Sequence, residues 1–267
     1  MFTFGKEKMP DMKKLDFPII IIITLLAFVC YFVCIASTNP PQKQHRACGV
    51  SPKRLSYGVM QPATEAVFNP PYKWAGRKIL YVFFTDTYDY QLMQKTLGVA
   101  NTWGNYAKLN FVLTADIFQS DIRVSYREPN GYLSYIGNEA ASLGLGGKAT
   151  LWLQDLDKED DAEFTRVVLH EFGHAIGLEH ELQSVNANIK WDTTAVYKYY
   201  DTAYGWSSQK VNDNIFTTIN TAEATRFDPK SIMIYAVPAF LTKDKIAIPW
   251  PDGLSDTDKK TIQKYYR

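Results

Sequence analysis

The sequence predicts an α+β fold, because strand-like segments and a helix come first, and a long helical stretch and a less regular, aromatic region follow. Residues 79–84 are apolar and rich in β-branched and aromatic types, which predicts a buried strand. Residues 89–108 carry apolar side chains at helical spacing. Further strands are predicted at residues 109–113, 121–126 and 149–153, the last of them shortly before the long helix.

The composition is that of a globular protein without a strong charge preference. The 267 residues are 46% hydrophobic and 14% aromatic, which is enough for a core in one large domain or two small ones. A formal net charge of +1 gives no reason to expect nucleic acid or an acidic surface as a partner. We therefore predict that the chain does not bind nucleic acid.

The N-terminal part predicts a targeting or membrane segment. Residues 1–16 are polar and lysine-rich, and residues 17–36 are uncharged and near the about 20 residues that cross a bilayer. We interpret residues 17–36 as a signal anchor or as a signal peptide cleaved near Ala36 and Ser37, with a buried core helix as the alternative. The lysines predict a cytoplasmic N-terminus and an external C-terminus. The later residues are then extracytoplasmic, either anchored in the membrane through residues 17–36 or secreted.

Residues 37–76 contain repeated prolines, which predicts an extended linker or propeptide before a globular domain at residues 77–267. The chain has three cysteines, Cys30, Cys34 and Cys48. Because the first two lie in the apolar stretch, one thiol remains downstream, and no disulfide can form within the domain.

Two segments of the domain have alternative interpretations. Residues 130–148 are rich in glycine. We favour a cleft-lining loop and edge strand, whose unpaired backbone groups bind an extended peptide, over a phosphate-binding loop, which lacks its usual Lys-Ser/Thr pair here. The acidic residues 155–163 suit a helix N-terminus, where negative charge complements the helix dipole. Calcium ligation is the alternative, although the glycine and glutamate pattern of an EF-hand is missing.

Three of the four histidines fall in one short motif, HEFGHAIGLEH at residues 170–180. On a helix, His170 and His174 project from one face a single turn apart and can bind one metal ion. Gly177 permits a sharp turn with positive φ that brings His180 round as a third ligand. Three neutral imidazoles leave one position of a tetrahedral zinc open for water, which is the catalytic arrangement. The alternative is a helix with incidental histidines.

The motif matches the H-E-x-x-H-x-x-G-x-x-H pattern of metzincin zinc proteases at every fixed position. Glu181, which follows the third histidine, resembles the astacin branch of that group. Residues 231–235, SIMIY, resemble its methionine turn and end in Tyr235 as astacins do, although Ile234 stands where astacins usually have histidine.

A second segment supports the same resemblance. Residues 131–137, GYLSYIG, are similar to the G-x-W-S-Y-x-G segment of astacin-like enzymes, with Leu133 in the place of the tryptophan. The absence of a disulfide in the domain is a further departure, since typical astacins contain disulfides. The resemblance covers roughly residues 79–267, which is nearly the whole predicted domain.

The resemblance implies a metzincin fold, with a mixed twisted sheet and an active-site helix, then an irregular C-terminal subdomain with the methionine turn and a final helix. It implies a zinc-dependent endopeptidase that acts on proteins or peptides and carries one catalytic Zn²⁺. The expected metal ligands are His170, His174 and His180. Glu171 is the expected general base, and Tyr235 is expected to stabilise the transition state.

Local signals also predict the later helices. One helix is expected from Asp192 and Thr193 to Tyr204, and another begins near residues 206–208. Residues 255–258 form a capping box by residue type, which predicts a final helix that ends at Tyr266.

Residues 45–50, HRACGV, loosely resemble the cysteine-switch segment of matrix metalloproteinase propeptides, in which a thiolate occupies the open zinc position. A free thiol at Cys48, or a bridge between two chains, is the alternative. Two other functions also remain open: a non-catalytic binding module with a metzincin fold, and a zinc hydrolase of non-peptide substrates. Non-catalytic relatives usually lose the glutamate or a ligand, and this chain keeps both.

Overall fold

The computed structural model describes residues 48–50, 67–142, 146–219 and 226–267. All of these belong to one unit of the chain, residues 46–267. The predicted anchor or signal segment, residues 17–36, lies outside the described residues. Within the described part of the chain, no helix has the length and apolar character needed to cross a bilayer.

In the described part of the chain, six strands form one mixed sheet in the order β1-β5-β6-β4-β2-β3. Strands β5 and β6 are antiparallel, and the other neighbours are parallel. This confirms the mixed sheet that the resemblance implies. The strands are β1 Cys48–Val50, β2 Ile79–Phe84, β3 Asn110–Leu113, β4 Ile122–Ser125, β5 Tyr132–Ser134 and β6 Leu151–Leu153.

The predicted strands are confirmed, with small changes at their ends. Strand β2 has the predicted bounds, β3 and β4 are shorter by one residue at one or both ends, and β6 begins two residues late. Strand β2 is apolar throughout, but only its alternate residues Leu80, Val82 and Phe84 are buried in the core, and Ile79 is exposed, because successive side chains of a strand point to opposite faces.

The expectation of an edge strand in the glycine-rich segment is wrong for β5. Strand β1 pairs with it in parallel, with Cys48 opposite Tyr132 and Val50 opposite Ser134. Residues 48–50 therefore occupy the backbone edge of β5 that faces β1, because a strand pairs with only one neighbouring strand on each side. Residues 143–145 of the same segment lie outside the described residues.

The structure describes six α-helices: α1 Tyr90–Ala100, α2 Glu139–Ser142, α3 Asp161–Ala175, α4 Thr193–Tyr204, α5 Ser208–Val211 and α6 Asp256–Tyr265. The first is shorter than predicted. The side chain of Asn101 accepts a hydrogen bond from the Phe111 backbone N–H at 2.8 Å and donates one to the Phe111 carbonyl at 2.9 Å. This pairing ties the end of α1 to β3, and a short 3₁₀ turn at Trp103–Asn105 replaces the predicted last part of the helix.

Helix α3 is the central element of the core. It packs against α1, β5 and β6. The Asp160 side chain caps its N-terminus by accepting the Glu163 N–H at 2.9 Å, as the acidic run predicts. Phe172 meets Phe111 edge to face, with ring centroids 4.9 Å apart. Both turns of α3 that carry the motif histidines are buried.

The three helices predicted in the C-terminal part are confirmed, and a side chain caps the N-terminus of each. The Asp192 side chain caps α4, and the Ser207 side chain caps α5. Ser255 and Asp258 form both hydrogen bonds of a capping box at the start of α6. This last helix ends at Tyr265, one residue before the predicted end.

Candidate metal centre

The turn after α3 is built on Gly177. Its φ of +103° is a conformation that residues with a Cβ rarely adopt, and an added Cβ would lie 3.0 Å from the Phe68 ring. Residues 67–69 pair with the turn, since the Asn69 N–H donates to the Gly177 carbonyl and the Glu179 N–H donates to the Val67 carbonyl, each at 2.9 Å. The glycine therefore provides the predicted sharp turn, and a distant segment holds it.

Two aromatic side chains satisfy backbone carbonyls at the end of α3. The Trp74 indole N–H donates to the Ala175 carbonyl at 2.8 Å, and the Tyr266 hydroxyl donates to the Ile176 carbonyl at 2.8 Å. Carbonyls in the last turn of a helix have no partner within the helix, so these bonds fix where it stops.

The turn brings three imidazoles together. His170, His174 and His180 are buried, and each offers a ligand atom within 4.8 Å of the others. The Nε2 atoms of His174 and His180 are 3.1 Å apart. Two nitrogens of a tetrahedral zinc site are separated by roughly 3.4 Å, as follows from zinc–nitrogen bonds of about 2.0–2.1 Å. The predicted motif geometry is therefore present in the fold.

Hydrogen bonds orient two of the rings. The Nδ1 atom of His170 lies 2.7 Å from the Ile232 carbonyl, and that of His174 lies 2.8 Å from the Leu178 carbonyl. Because a carbonyl only accepts, each Nδ1 carries the proton and each Nε2 is left with a lone pair. Burial lowers the pKa of His170 to about 4, so its ring is neutral at pH 7, as metal ligation requires.

The donor set fits zinc. The Nε2 atom of His170 is buried and has no hydrogen-bond partner among the described residues. Such an atom is costly to bury unless it binds a proton donor or a metal. Three neutral imidazoles suit Zn²⁺ and leave a fourth position open, as in catalytic sites.

The methionine turn lies beneath the histidines. Met233 is buried, and a Cβ at Gly173 would lie 2.5 Å from its sulfur, so α3 approaches the turn closely between His170 and His174. The Met233 carbonyl accepts the Glu181 N–H at 3.1 Å. The turn is thus linked to the residue that follows the third histidine.

Glu171 and Tyr235 face the same small cavity beside the metal centre, which we call the catalytic cavity. Its volume is about 10 Å³, and its other lining residues are Tyr132, Arg166, Val167, His170 and Trp250. This is about the space of one water molecule. The Tyr235 hydroxyl is 2.7 Å from His180 Nε2, and Glu171 is fully buried. The structure therefore brings together all five residues that the sequence predicts for the site, His170, His174, His180, Glu171 and Tyr235.

Arg166 and Trp250 also line the catalytic cavity, and neither is predicted as a site residue from the sequence. Arg166 lies one helical turn before His170, so a charged residue at that spacing on α3 was the available signal. Trp250 comes from a distant loop, and its position has no local signal.

Glu181 is buried next to the centre. Its Oε1 accepts the Asp228 N–H at 2.9 Å, and burial raises the pKa of its carboxyl to about 8. Glu181, which directly follows the third histidine, therefore links this histidine to the segment before the methionine turn.

Comparison with known proteins identifies the family. The sequence model described as "Astacin (Peptidase family M12A)" matches residues 66–266. The chain belongs to the astacin family. No curated protein sequence matches the chain. This astacin is a zinc metalloendopeptidase, and its substrates are proteins or peptides.

Solved structures agree with this membership. One structure of myroilysin is 32% identical with a TM-score of 0.69, and the match covers 75% of this chain and 98% of that chain. A second myroilysin structure is 30% identical with a TM-score of 0.56 and covers 84% and 92%. The hatching enzyme zinc-protease HCE-1 of the medaka fish Oryzias latipes is 18% identical with a TM-score of 0.51 and covers 76% and 98%, and shares the fold.

Proposed function

We propose that His170, His174 and His180 bind the catalytic zinc of this astacin, that Glu171 is its general base, and that Tyr235 stabilises the transition state. The observation that carries this proposal is the convergence of three buried imidazoles, with ligand atoms within 4.8 Å of one another, on a cavity lined by Glu171 and Tyr235. Zinc, when bound, supplies Lewis acidity that lowers the pKa of a water from about 15.7 towards about 7 and polarises a carbonyl.

Glu171 moves the proton in this proposal. Its carboxylate takes a proton from the attacking water and gives it to the leaving amine when the peptide bond breaks. Support comes from its burial and from its place in the catalytic cavity, where there is space for about one water molecule. A carboxylate next to a ligand on the same helix can reach this water without binding the metal itself.

Tyr235 acts on the developing oxyanion. Its hydroxyl lies 2.7 Å from His180 Nε2, which places a hydrogen-bond donor at the edge of the three-histidine cluster. A donor of this kind is typically worth about 3–4 kcal/mol in the transition state. Met233, in contrast, is proposed to be structural, as a buried apolar support beneath the imidazoles.

We also propose that the catalytic domain acts outside the cytoplasm, either anchored through residues 17–36 or secreted after their removal. The lysines of residues 1–16 and the uncharged stretch that follows support this orientation. The cysteine-switch interpretation of Cys48 stays a prediction, since the side chain of Cys48 lies outside the described residues.

A cleavage assay tests the proposed function directly. The purified protein is incubated with casein, with and without a metal chelator, and the chelated sample is then supplied with Zn²⁺. We expect cleavage that the chelator abolishes and added zinc restores. Cleavage that is insensitive to the chelator would contradict the zinc mechanism, and no cleavage by a zinc-loaded, folded protein would contradict peptide-bond hydrolysis.

A further inference from the structure

A wide groove lies next to the catalytic cavity. It has a volume of about 770 Å³ and is lined by residues 228–230 and 249–257. We call it the outer groove. Its volume falls in the range of about 300–1,000 Å³ that ligand-binding clefts usually have. Apart from Trp250, which also lines the catalytic cavity, these residues have no part in the proposed metal centre or in residues 231–235 of its methionine turn.

Trp250 is the residue that the linings of the outer groove and the catalytic cavity share. The Arg166 guanidinium stacks on the indole, 3.9 Å from the ring centroid. Arg166 is itself held on α3, since its Nε donates to Glu163 at 3.1 Å and its Nη2 donates to the other carboxylate oxygen at 2.5 Å. The Arg166 and Glu163 side chains are only 10% and 3% exposed. The indole is therefore a wall fixed to the active-site helix.

A second contact also fixes the outer groove to the metal centre. The backbone N–H of Asp228, a lining residue, donates to Glu181, which follows His180 in the sequence, at 2.9 Å. Trp250 and Asp228 therefore fix the position of the outer groove relative to the metal centre. This continuity favours substrate as the occupant over an unrelated ligand.

The lining combines apolar surface with negative charge. Trp250, Leu254 and neighbouring prolines supply the apolar part. The charged lining residues are Asp228, Asp252, Asp256 and Lys230, that is, three carboxylates and one ammonium group, or two net negative charges. Asp256 also contacts Lys259 at 3.2 Å, but with an Asp256 side chain that is 87% exposed this pair is weak.

A side chain with an aliphatic stem and a cationic end matches this lining. Lysine and arginine bury their methylene groups along apolar surface and keep the charged group near water or a carboxylate. The face of an indole ring also attracts a cation. Apolar and acidic side chains fit less well, since the first would leave the carboxylates unmatched and the second would be repelled.

We propose that the outer groove is a substrate subsite for a lysine or arginine side chain, with Trp250 as its inner wall and Asp252 and Asp256 as its recognition groups. The proposal rests on the proposed function, since it assigns a specificity to the same protease. It adds the chemical class of substrate that the enzyme selects: protein segments with a basic residue close to the cleaved bond.

The test uses quenched fluorescent peptides that differ at one position near the cleaved bond, where they carry lysine, glutamine or glutamate. We expect wild-type kcat/KM for the lysine peptide to exceed that for the glutamine peptide about 2- to 25-fold at one position, because each of the two exposed carboxylates contributes about 1.5- to 5-fold. Raising the salt concentration to about 0.5 M should reduce this ratio, since screening weakens exposed charge pairs.

Variants test whether Asp252 and Asp256 cause the preference for lysine over glutamine. The double variant Asp252→Asn/Asp256→Asn should reduce the ratio for lysine over glutamine to less than about 2. Both side chains are exposed, so we expect folding to be retained, which thermal unfolding checks. The matched control is Asp201→Asn, at an exposed position of α4 outside the groove, and it should leave the ratio unchanged.

The outcomes separate this proposal from the proposed function. Chelator-sensitive cleavage without a preference for lysine at any position, or with a preference for glutamate, overturns the subsite and leaves the protease assignment intact. A preference that the double variant retains, or that Asp201→Asn also removes, overturns the subsite as well. No cleavage of any peptide by the zinc-loaded protein overturns the proposed function itself.

Discussion

The carboxylate of Asp258 accepts a hydrogen bond from the Ser231 hydroxyl at 2.7 Å, which ties the cap of the last helix to the methionine turn. The other carboxylate oxygen accepts the backbone N–H groups of Ile232 and Ser255, each at 2.8 Å. The Ile232 carbonyl in turn lies 2.7 Å from His170 Nδ1. One buried carboxylate thus links the end of the chain to the orientation of the first proposed zinc ligand.

We expect Asp258→Asn to destabilise the protein by about 1–3 kcal/mol, because an amide has one acceptor oxygen for three donors and leaves a buried donor unsatisfied. Urea unfolding measures this change. Asp256→Asn is the matched control, since Asp256 lies in the same helical turn but is 87% exposed, and it should change stability by less than about 0.5 kcal/mol. Equal effects of the two substitutions would contradict the link.

The same carboxylate predicts a pH dependence. Burial raises the pKa of Asp258 from 3.8 to about 6, although its hydrogen bonds oppose this shift. Because the folded state holds the proton more tightly than the unfolded state, the stability from this group is fully present below its unfolded pKa and is lost as the pH rises through about 6. The unfolding free energy of the wild type minus that of Asp258→Asn should therefore fall between pH 4 and pH 6.5, roughly the interval between these two pKa values, and stay level above it. A difference in unfolding free energy that rose with pH would contradict a raised pKa of Asp258 in the folded state.

Glu171→Gln should retain zinc and lose turnover. Replacing a general base typically lowers the rate about 10²–10⁴-fold, and the amide cannot take the proton from water. Peptide cleavage and zinc content are measured on the same preparation, with Asp201→Asn as a control that keeps both. Substantial activity in the zinc-loaded Glu171→Gln protein would rule out the assigned base.

Tyr235→Phe should lower kcat/KM about 10²- to 10³-fold without loss of zinc, because it removes one hydrogen-bond donor to the oxyanion and keeps the ring. Steady-state kinetics measure this effect. Tyr88→Phe removes a hydroxyl from a side chain that is 98% exposed, so it should have no effect. A Tyr235→Phe enzyme with wild-type kinetics would show that the hydroxyl is not needed for catalysis.

Gly177→Ala should destabilise the protein by more than about 1 kcal/mol and weaken zinc binding, since φ is +103° and the added Cβ would meet Phe68 at 3.0 Å. Thermal unfolding and zinc titration measure the two effects. Gly98→Ala is the control within α1, where nothing lies within 4 Å, and it should stabilise the protein by about 0.4–1 kcal/mol. If both substitutions behaved alike, the turn would not depend on its glycine.

The sequence predicts those parts of the structure that depend on neighbouring residues. The motif places His170 and His174 on one helix face, and the cap residues Asp192 and Ser255 mark where two helices begin. These signals are local, because periodicity and capping involve residues a few positions apart. The spacing around Gly177 likewise predicts the turn that brings in the third histidine.

The remaining features depend on contacts between distant residues. The Trp74 indole binds a carbonyl 101 positions away at the end of α3, and Asn69 binds the side chain of Glu179 across 110 positions. The pairing of β1 with β5 overturned the expected edge strand for the same reason. No local sequence pattern indicates which distant segment covers a sheet edge or a helix end. The structure is therefore needed to show that Trp250 and Glu171 line the same cavity.

The zinc content of the purified protein tests the central claim most directly. The wild-type protein and His180→Ala are prepared in parallel, dialysed against metal-free buffer and analysed by elemental mass spectrometry. We predict one zinc ion per wild-type chain and far less than one in His180→Ala, since two imidazoles hold the metal much more weakly than three. A folded wild-type protein without zinc, or a His180→Ala protein that retains the full amount, would contradict the three-histidine centre.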